Sequence, residues 1–265
     1  MNIASVGERN TAEFLGLKFR DLTLAEAADL LIGAAEDGVR CRTFFVNAHC
    51  FNLANRDAEY ARVLSQADLL FADGIGVALA ARLWSVRLRD NVNGTDLFPL
   101  LCERAARDGA PIALLGGRPG IAERCAERMR SAHPGLDIVL TRHGYQDPET
   151  EPHLIADINR SGARILLVAQ GVPMQECWIA RHAAALEAPV VLGVGALFDF
   201  YSGAMPRAPL SLRRLRLEWA FRLLMEPRRM FDRYVIGNPL FVMRALRCRL
   251  RERRTPMRRP PLDEA

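Results

Sequence analysis

Asp73 is the carboxylate that the sequence places best for chemistry. It follows the apolar run Leu69–Ala72 and precedes Gly74, so it falls where a predicted strand ends. A carboxylate at such a position can act as a general base that takes a proton from a reacting hydroxyl. It can equally cap the helix that follows, because aspartate is a favoured N-cap residue. Position alone leaves both roles open.

Glycine-rich turns follow four of the predicted strands. They are Asp73–Gly76, Gly116–Gly120, Gly171–Pro173 and Gly193–Gly195. Glycine lets the backbone approach a phosphate, and the helix that follows offers free N–H groups. Ligands of open α/β sheets bind at the carboxyl ends of the strands. Together the four turns predict a nucleotide or diphosphate site at one edge of the sheet.

Other candidate side chains carry less information. Gln175 stands at a predicted helix start, where its amide can bond a ligand hydroxyl, and the neighbouring Glu176 can stabilise the helix N-terminus. His49 is the histidine nearest the predicted site, although a structural role is the better interpretation of all five histidines. No Asp-x-Asp pair occurs for a divalent metal on a diphosphate, so arginines are the candidate counter-charges.

Alternating strand and helix patterns predict an α/β fold with a largely parallel sheet buried on both faces. The predicted strands are Thr43–Val46, Leu69–Ala72, Ile112–Leu115, Ile138–Leu140, Ile165–Ala169 and Val190–Val194. The predicted helices lie near Ala25–Glu36, Cys50–Ser65, Val77–Trp84, Asp96–Arg107, Ile121–Ser131, Glu151–Asn159 and Gln175–Leu186. We expect this core to span residues 1–204.

The pattern changes after residue 204. Residues 1–204 carry a net charge of −5, whereas residues 205–265 carry +10. Leu212, Leu215, Trp219 and Leu223 share one helix face, Pro227 is expected to end that helix, and a second amphipathic stretch covers Pro239–Arg253. Basic amphipathic helices of this kind lie well on anionic membranes. We therefore predict a membrane-associating helical appendage at 205–253 and a disordered tail at 254–265.

Composition narrows the class of protein further. The six cysteines contain no C-x-x-C spacing, which argues against a zinc site or a redox motif. The longest apolar runs are far shorter than the roughly 18–20 residues that cross a bilayer. No signal peptide is recognisable at the start of the chain. We expect a cytoplasmic protein whose contact with the inner face of the cell membrane is peripheral.

Short motifs occur in a distinctive order between about residues 43 and 240. They are Val46-Asn47-Ala48, Ala72-Asp73-Gly74-Ile75-Gly76, Gly94-Thr95-Asp96-Leu97, Gly171-Val172-Pro173-Met174-Gln175-Glu176, Gly193-Val194-Gly195-Ala196-Leu197-Phe198-Asp199-Phe200, Arg207-Ala208-Pro209, Glu218-Trp219, Arg222 and Glu226-Pro227-Arg228-Arg229. Taken together, they resemble the WecG/TagA/CpsF glycosyltransferases, glycosyltransferase family 26. No single motif is specific, but the ordered set is.

The resemblance implies a Rossmann-like α/β core with a C-terminal appendage. It implies inverting, metal-independent transfer of a sugar from a UDP-sugar to an undecaprenyl-diphosphate-linked sugar, without a cofactor, in cell-surface or exopolysaccharide biosynthesis. Asp73 takes the position of the catalytic aspartate. The predicted substrate-binding residues are Asn47, Gly74, Gly76, Asn91, Asp96, Gln175, Arg222, Arg229 and Arg233. The resemblance implies no nucleic-acid partner, and it suggests self-association.

Two positions depart from the family pattern. Phe45 stands where members often carry a threonine, and Asn91 stands where an arginine is common. Replacing arginine by asparagine removes a charge and a planar fork of donors, so diphosphate binding must differ. The donor sugar is therefore open between the glucose type and the N-acetylmannosamine type.

Two other classes of protein remain as alternatives from the residues. A nicotinamide-dependent oxidoreductase would use the glycine turns, but Gly74-Ile75-Gly76 is followed by Val77-Ala78-Leu79 without the third glycine of the fingerprint. A nucleic-acid-binding protein would use the arginine-rich end, but no reading motif accompanies it. Binding of NADH or salt-dependent binding of DNA would favour one or the other.

Overall fold

The computed structural model describes residues 10–145, 147–214 and 217–254. The strands are β1 (Thr11–Phe14), β2 (Leu17–Arg20), β3 (Cys41–Val46), β4 (Leu69–Ala72), β5 (Ile112–Gly116), β6 (Ile138–Arg142), β7 (Ile165–Ala169) and β8 (Val190–Gly193). The first nine helices are α1 (Leu24–Glu36), α2 (Ala48–Ala54), α3 (Ala58–Ser65), α4 (Gly74–Leu83), α5 (Gly94–Asp108), α6 (Ile121–Ala132), α7 (Glu151–Arg160), α8 (Met174–His182) and α9 (Leu197–Tyr201). Four more follow: α10 (Leu210–Arg214), α11 (Glu218–Met225), α12 (Pro227–Phe231) and α13 (Gly237–Arg254).

Six strands form one parallel sheet in the order β4-β3-β8-β7-β5-β6. The strands are apolar because helices cover both faces of the sheet, which is the usual arrangement of parallel sheets. The fold is therefore α/β and Rossmann-like, as the sequence predicts. Because every strand runs in the same direction, all the turns that follow the strands lie at one edge.

Two hydrophobic clusters fill the space between the sheet and its helices. One packs α1, α5, α6 and α9 against one face, and the other packs α2, α3, α4, α7, α8 and α13 against the opposite face. Alternation along β3 divides its side chains between the clusters: Phe45 joins the first, while Phe44 and Val46 join the second. The sheet is thus buried on both sides.

The predicted helix Cys50–Ser65 is wrong in one respect, because the structure has two helices there, α2 and α3. Residues 55–57 separate them, and the Asp57 carboxylate accepts hydrogen bonds from the backbone N–H groups of Glu59 and Tyr60, at 2.9 and 3.0 Å. Aspartate at an N-cap position starts a new helix more readily than it continues an old one.

The antiparallel hairpin β1–β2 is absent from the sequence prediction. Its turn consists of Leu15 and Gly16, with φ angles of 57° and 71°. Two-residue hairpin turns of this conformation favour Asn-Gly or Asp-Gly, and leucine is rare in the left-handed region. The sequence therefore carries only half of the usual hairpin signal.

The C-terminal helix α13 is docked on the core. Phe241 is buried and packs edge-on against Phe51 of α2, with ring centroids 5.4 Å apart. The Asn52 side chain donates to the Gly237 carbonyl at 2.7 Å, and Arg244 donates back to the Asn52 side-chain oxygen at 3.0 Å. The buried Phe241 ring and the two hydrogen bonds of Asn52 thus hold the start of α13 beside α2.

The structure confirms one of the remaining expectations for the C-terminal region and contradicts another. Leu212, Trp219 and Leu223 lie on two separate helices, α10 and α11, whereas Leu215 falls outside the described residues. Pro227 does interrupt the helical run, because α11 ends at Met225 and α12 begins at Pro227. The predicted disordered tail lies outside the described residues, except for Arg254 at the end of α13.

Candidate active site

Strand pairing brings Asp73 and Asn47 side by side. Val46 of β3 is paired with Ala72 of β4, and Asp73 donates its backbone N–H to the Val46 carbonyl at 2.9 Å. The residues that follow the two strands are consequently neighbours. The Asn47 side-chain oxygen caps α2 by accepting from the backbone N–H groups of His49 and Cys50, at 3.0 and 3.2 Å. Its amide is then left to hydrogen-bond the Asp73 carboxylate.

Asp73 stands at the N-cap position of α4, but its side chain makes no capping hydrogen bond. The Gly74 N–H instead donates to the side-chain oxygen of Asn91, at 2.8 Å. Gly74 has a φ angle of 87°, a conformation that favours glycine. Asn91 therefore supplies the cap that aspartate usually provides, and the Asp73 carboxylate is left to the site.

A cavity of about 180 Å³ opens beside Asp73. Its core wall comes from the ends of β3 and β4 and the start of α5, and its outer wall comes from the appendage. Seven other predicted site residues line it: Asn47, Gly74, Gly76, Asn91, Asp96, Arg222 and Arg233. The other lining residues are Ala48, His49, Ile75, Asn93, Thr95, Phe200, Arg213, Glu218, Trp219, Tyr234 and Asn238. Of the four glycine turns, only Asp73–Gly76 contributes to this cavity.

Burial raises the pKa of Asp73 above its ordinary value. The nearby guanidinium of Arg233 and the Asn47 hydrogen bond oppose that rise, Glu218 adds to it, and Arg222 opposes it. A carboxylate with a raised pKa is a stronger base, and it stays ionised at neutral pH only with the help of such partners. The same burial, together with Arg233, lowers the pKa of His49 to about 4, so that imidazole is neutral.

Arg222 and Arg233 bring two positive charges to the cavity from the appendage. Within the described ranges, neither guanidinium forms an ion pair, and the Nε atom of each is buried without a hydrogen-bond partner. The Arg222 guanidinium lies 5.1 Å from the centre of the Phe200 ring. Two arginines with unused donors beside a buried carboxylate form a site suited to an anionic ligand.

Asp96 is engaged by protein groups. Its backbone N–H and one carboxylate oxygen form a reciprocal pair with the Asn93 side chain, at 2.9 and 2.8 Å. Its other oxygen accepts a hydrogen bond from Arg207. The Arg207 Nε also approaches the Glu218 carboxylate at 3.6 Å. Asp96 thus ties the start of α5 to the start of α11, while still bordering the cavity.

Gln175 and Arg229 do not line the cavity. The Gln175 side-chain oxygen accepts from the backbone N–H groups of Gly171 and Gly195, at 3.2 and 2.8 Å, and joins the turns that follow β7 and β8. Its amide donates to Glu176 at 2.8 Å, and burial raises the pKa of Glu176 to about 7. Arg229 is exposed and paired with Glu226 at 2.9 Å. Substrate contacts for Gln175 and Arg229 stay predictions.

The two positions that depart from the family pattern have different surroundings. Phe45 is buried, stacks on Phe71 with centroids 5.9 Å apart, and packs against Gly94, where an added Cβ would lie 3.3 Å from its ring. Phe45 therefore contacts the first residue of α5 and does not border the cavity. Asn91 borders the cavity directly, and its side chain holds Gly74.

Sequence reasoning missed several lining residues. Trp219, Tyr234 and Glu218 come from the appendage, Thr95 precedes the predicted Asp96, and Asn238 is the second residue of the last helix. Thr95, Glu218 and Trp219 stand inside motifs named above, and only that position could have drawn attention to them. Arg233 and Tyr234 lie in a π turn at Asp232–Ile236, a helix irregularity that is common at functional sites.

Residues 12–255 match the family described as Glycosyl transferase WecG/TagA/CpsF family. The match covers nearly all of the chain, including both walls of the cavity. It assigns glycosyl transfer, rather than hydride transfer or nucleic-acid binding, as the class of activity. Such an enzyme binds a sugar donor and a sugar acceptor. This chain belongs to the WecG/TagA/CpsF family of glycosyltransferases.

Proposed function

We propose that this enzyme moves a hexosyl group from a UDP-sugar to an undecaprenyl-diphosphate-linked sugar, with inversion and without a metal, in bacterial cell-surface or exopolysaccharide biosynthesis. The observation that carries the proposal is that the Asp73 carboxylate makes no helix-capping hydrogen bond, although Asp73 stands at the N-cap position of α4. This carboxylate lies in one cavity with two arginines that have no ion-pair partner in the described chain. The hexose is of the glucose or N-acetylmannosamine type.

In the proposed reaction, Asp73 removes the proton of the acceptor hydroxyl. The hydroxyl oxygen forms a bond to the anomeric carbon as the bond from that carbon to the diphosphate oxygen breaks. UDP leaves with the electron pair, and Arg222 and Arg233 stabilise the charge that develops on it. Attack opposite the leaving group inverts the anomeric configuration.

We propose metal independence because Arg222 and Arg233 can stabilise the diphosphate charge that a divalent metal ion would otherwise neutralise. Among the described residues, no group of three or more His, Cys, Asp or Glu side chains is arranged to hold a metal ion. The planar guanidinium binds phosphate oxygens in pairs. We expect sugar transfer to continue at an unchanged rate in excess EDTA, and restoration by Mg²⁺ or Mn²⁺ of a rate lost to EDTA would contradict metal independence.

The appendage supports the choice of a lipid-linked acceptor. Val242, Met243, Leu246 and Leu250 lie along one side of α13, are each at least 41% exposed, and form what we call the apolar face of α13. None of the helices in the described ranges is both long and apolar enough to cross a bilayer. An exposed apolar helix face in an arginine-rich segment suits peripheral binding to an anionic inner membrane.

Replacement of Asp73 by asparagine tests the proposal. Asparagine keeps the shape and can still bond Asn47, but it cannot accept a proton, so we expect transfer to fall by roughly 10²- to 10⁴-fold. The measurement is product mass and UDP release with a panel of UDP-sugars and short-chain polyprenyl-diphosphate sugars.

The matched control for Asp73→Asn is Asp137→Asn, which changes an exposed carboxylate in the loop before β6. Circular dichroism and thermal unfolding should be alike for both variants and the wild type. Wild-type rates in a folded Asp73→Asn enzyme would remove Asp73 from the role of base.

A further inference from the structure

Two aromatic rings of the appendage face the cavity opposite the core. Trp219 belongs to α11 and Tyr234 to the π turn before α13, and both are half-buried. Their ring centroids are 6.0 Å apart with an interplanar angle of 61°. The edge-to-face pair holds each ring in place. The Arg233 guanidinium lies 5.6 Å from the centre of the Tyr234 ring, so this aromatic wall of the cavity adjoins one of the two arginines.

Polar side chains without protein partners share the cavity with these rings. In the described chain, neither the Thr95 hydroxyl nor the Asn238 side-chain amide makes a hydrogen bond, although both residues line the cavity. An aromatic surface beside free hydroxyl and amide groups suits a ligand that has an apolar face and several hydroxyls. A pyranose ring has both, because its axial C–H bonds form one face and its hydroxyls surround it.

The position of Asn238 indicates which of the two sugars this wall serves. Asn238 lines the catalytic cavity and also begins the apolar groove along α13, which continues through Pro239 and the apolar face of that helix. An acceptor whose sugar is attached to a lipid must approach along an apolar surface. Trp219 and Tyr234 lie on the same appendage as that surface, whereas the strand ends and glycine turns belong to the core.

We propose that Trp219 and Tyr234 form the subsite for the acceptor sugar, with Thr95 and Asn238 bonding its hydroxyls. The inference rests on the proposed function, because it requires a lipid-linked sugar as acceptor. In this arrangement the acceptor sugar stacks on the appendage wall and turns its reactive hydroxyl toward Asp73.

Steady-state kinetics of Trp219→Leu and Tyr234→Leu test the subsite. The acceptor probe is a short-chain polyprenyl diphosphate carrying glucose or N-acetylglucosamine, and the donor is the UDP-sugar that the wild type uses. Loss of stacking should raise the KM for the acceptor about tenfold, which corresponds to about 1.4 kcal/mol. The KM for the donor should change much less than the KM for the acceptor. Trp178→Phe, a tryptophan substitution outside the cavity, is the control.

Fluorescence provides a second readout that a purely structural role would not change. The chain has three tryptophans, so Trp84→Phe with Trp178→Phe leaves Trp219 as the reporter. Its emission should respond to the acceptor probe and not to UDP. A response to UDP alone, or a rise in donor KM with an unchanged acceptor KM, would overturn the assignment.

The subsite and the proposed function fail in different ways. If the wild-type enzyme transfers sugar to no lipid-linked acceptor, the proposed function is wrong and the subsite falls with it. If the wild type transfers sugar but the leucine variants keep the wild-type acceptor KM, only the subsite is wrong.

Discussion

The pKa of Asp73 depends on its burial and on the charges beside it, and it decides how the proposed activity responds to pH. Burial raises the pKa of Asp73, Arg233 lowers it, and Glu218 raises it. Asp73 must be ionised to act as a base, so activity should fall as the pH drops through its pKa. The acidic limb of the kcat/KM profile reports that pKa in the free enzyme.

Removal of the two neighbouring charges should move the acidic limb in opposite directions. Arg233→Gln removes a cation that favours the ionised form, so the pKa of Asp73 rises and the limb moves to higher pH. Glu218→Gln removes an anion, so the limb moves to lower pH. The kcat/KM profiles are measured with both substrates below saturation and at constant ionic strength, because salt screens both effects.

The opposed shifts separate Asp73 from other groups that face the cavity. His49, whose pKa is lowered by burial and by Arg233, can be removed as His49→Gln in each background. Shifts of the same sign in Arg233→Gln and Glu218→Gln would show that the limb does not report Asp73.

At the scale of elements, one arginine joins the core to the appendage near the site. Arg207 contacts Asp96 at the start of α5 and Glu218 at the start of α11. The first turn of α11 then carries Trp219, and the second carries Arg222. We infer that Arg207 is a positioning residue that holds this helix over Asp73.

Replacement of Arg207 by methionine should loosen α11 while keeping much of the buried stem. We expect unfolding free energy to fall by about 1–2 kcal/mol, because the partner carboxylates are partly exposed, and kcat to fall at least tenfold. Arg207→Lys should recover part of kcat. Arg160→Met removes an exposed arginine whose one ion pair in the described ranges is with Asp157, so it should change neither the unfolding free energy nor kcat. A less stable Arg207→Met enzyme with wild-type kcat would make the role purely structural.

The elements also show what the sequence could and could not predict. The strand positions follow from apolar runs, so Asp73 and Asn47 could each be placed at the end of a strand. The pairing of those two strands is known only from the structure. The orientation of Gln175 could not, because it depends on the gap between two turns. Trp219 and Tyr234 reach the cavity only through the docking of the appendage, and local sequence does not encode that contact.

Across the whole molecule, exposed hydrophobic surface is concentrated at one place. Nine of the twelve large hydrophobic residues that are exposed in the described chain lie between residues 224 and 250. The segment 205–265 also holds the positive charge of the chain, whereas the core is acidic. An apolar and basic appendage on an acidic core should orient the enzyme on an anionic bilayer.

Charge on the apolar face of α13 should separate membrane binding from chemistry. Val242→Glu combined with Leu246→Glu puts two carboxylates on exposed positions, so thermal stability should be close to that of the wild type. Flotation with phosphatidylglycerol vesicles should drop at least tenfold. Transfer to a full-length lipid-linked acceptor in vesicles should drop with it, while transfer to a short-chain acceptor in solution is retained.

The control is Leu79→Glu, which changes an exposed leucine of α4. Unchanged flotation of the double variant would place the membrane contact elsewhere, and equal loss with both acceptors would mean that this face serves the cavity itself.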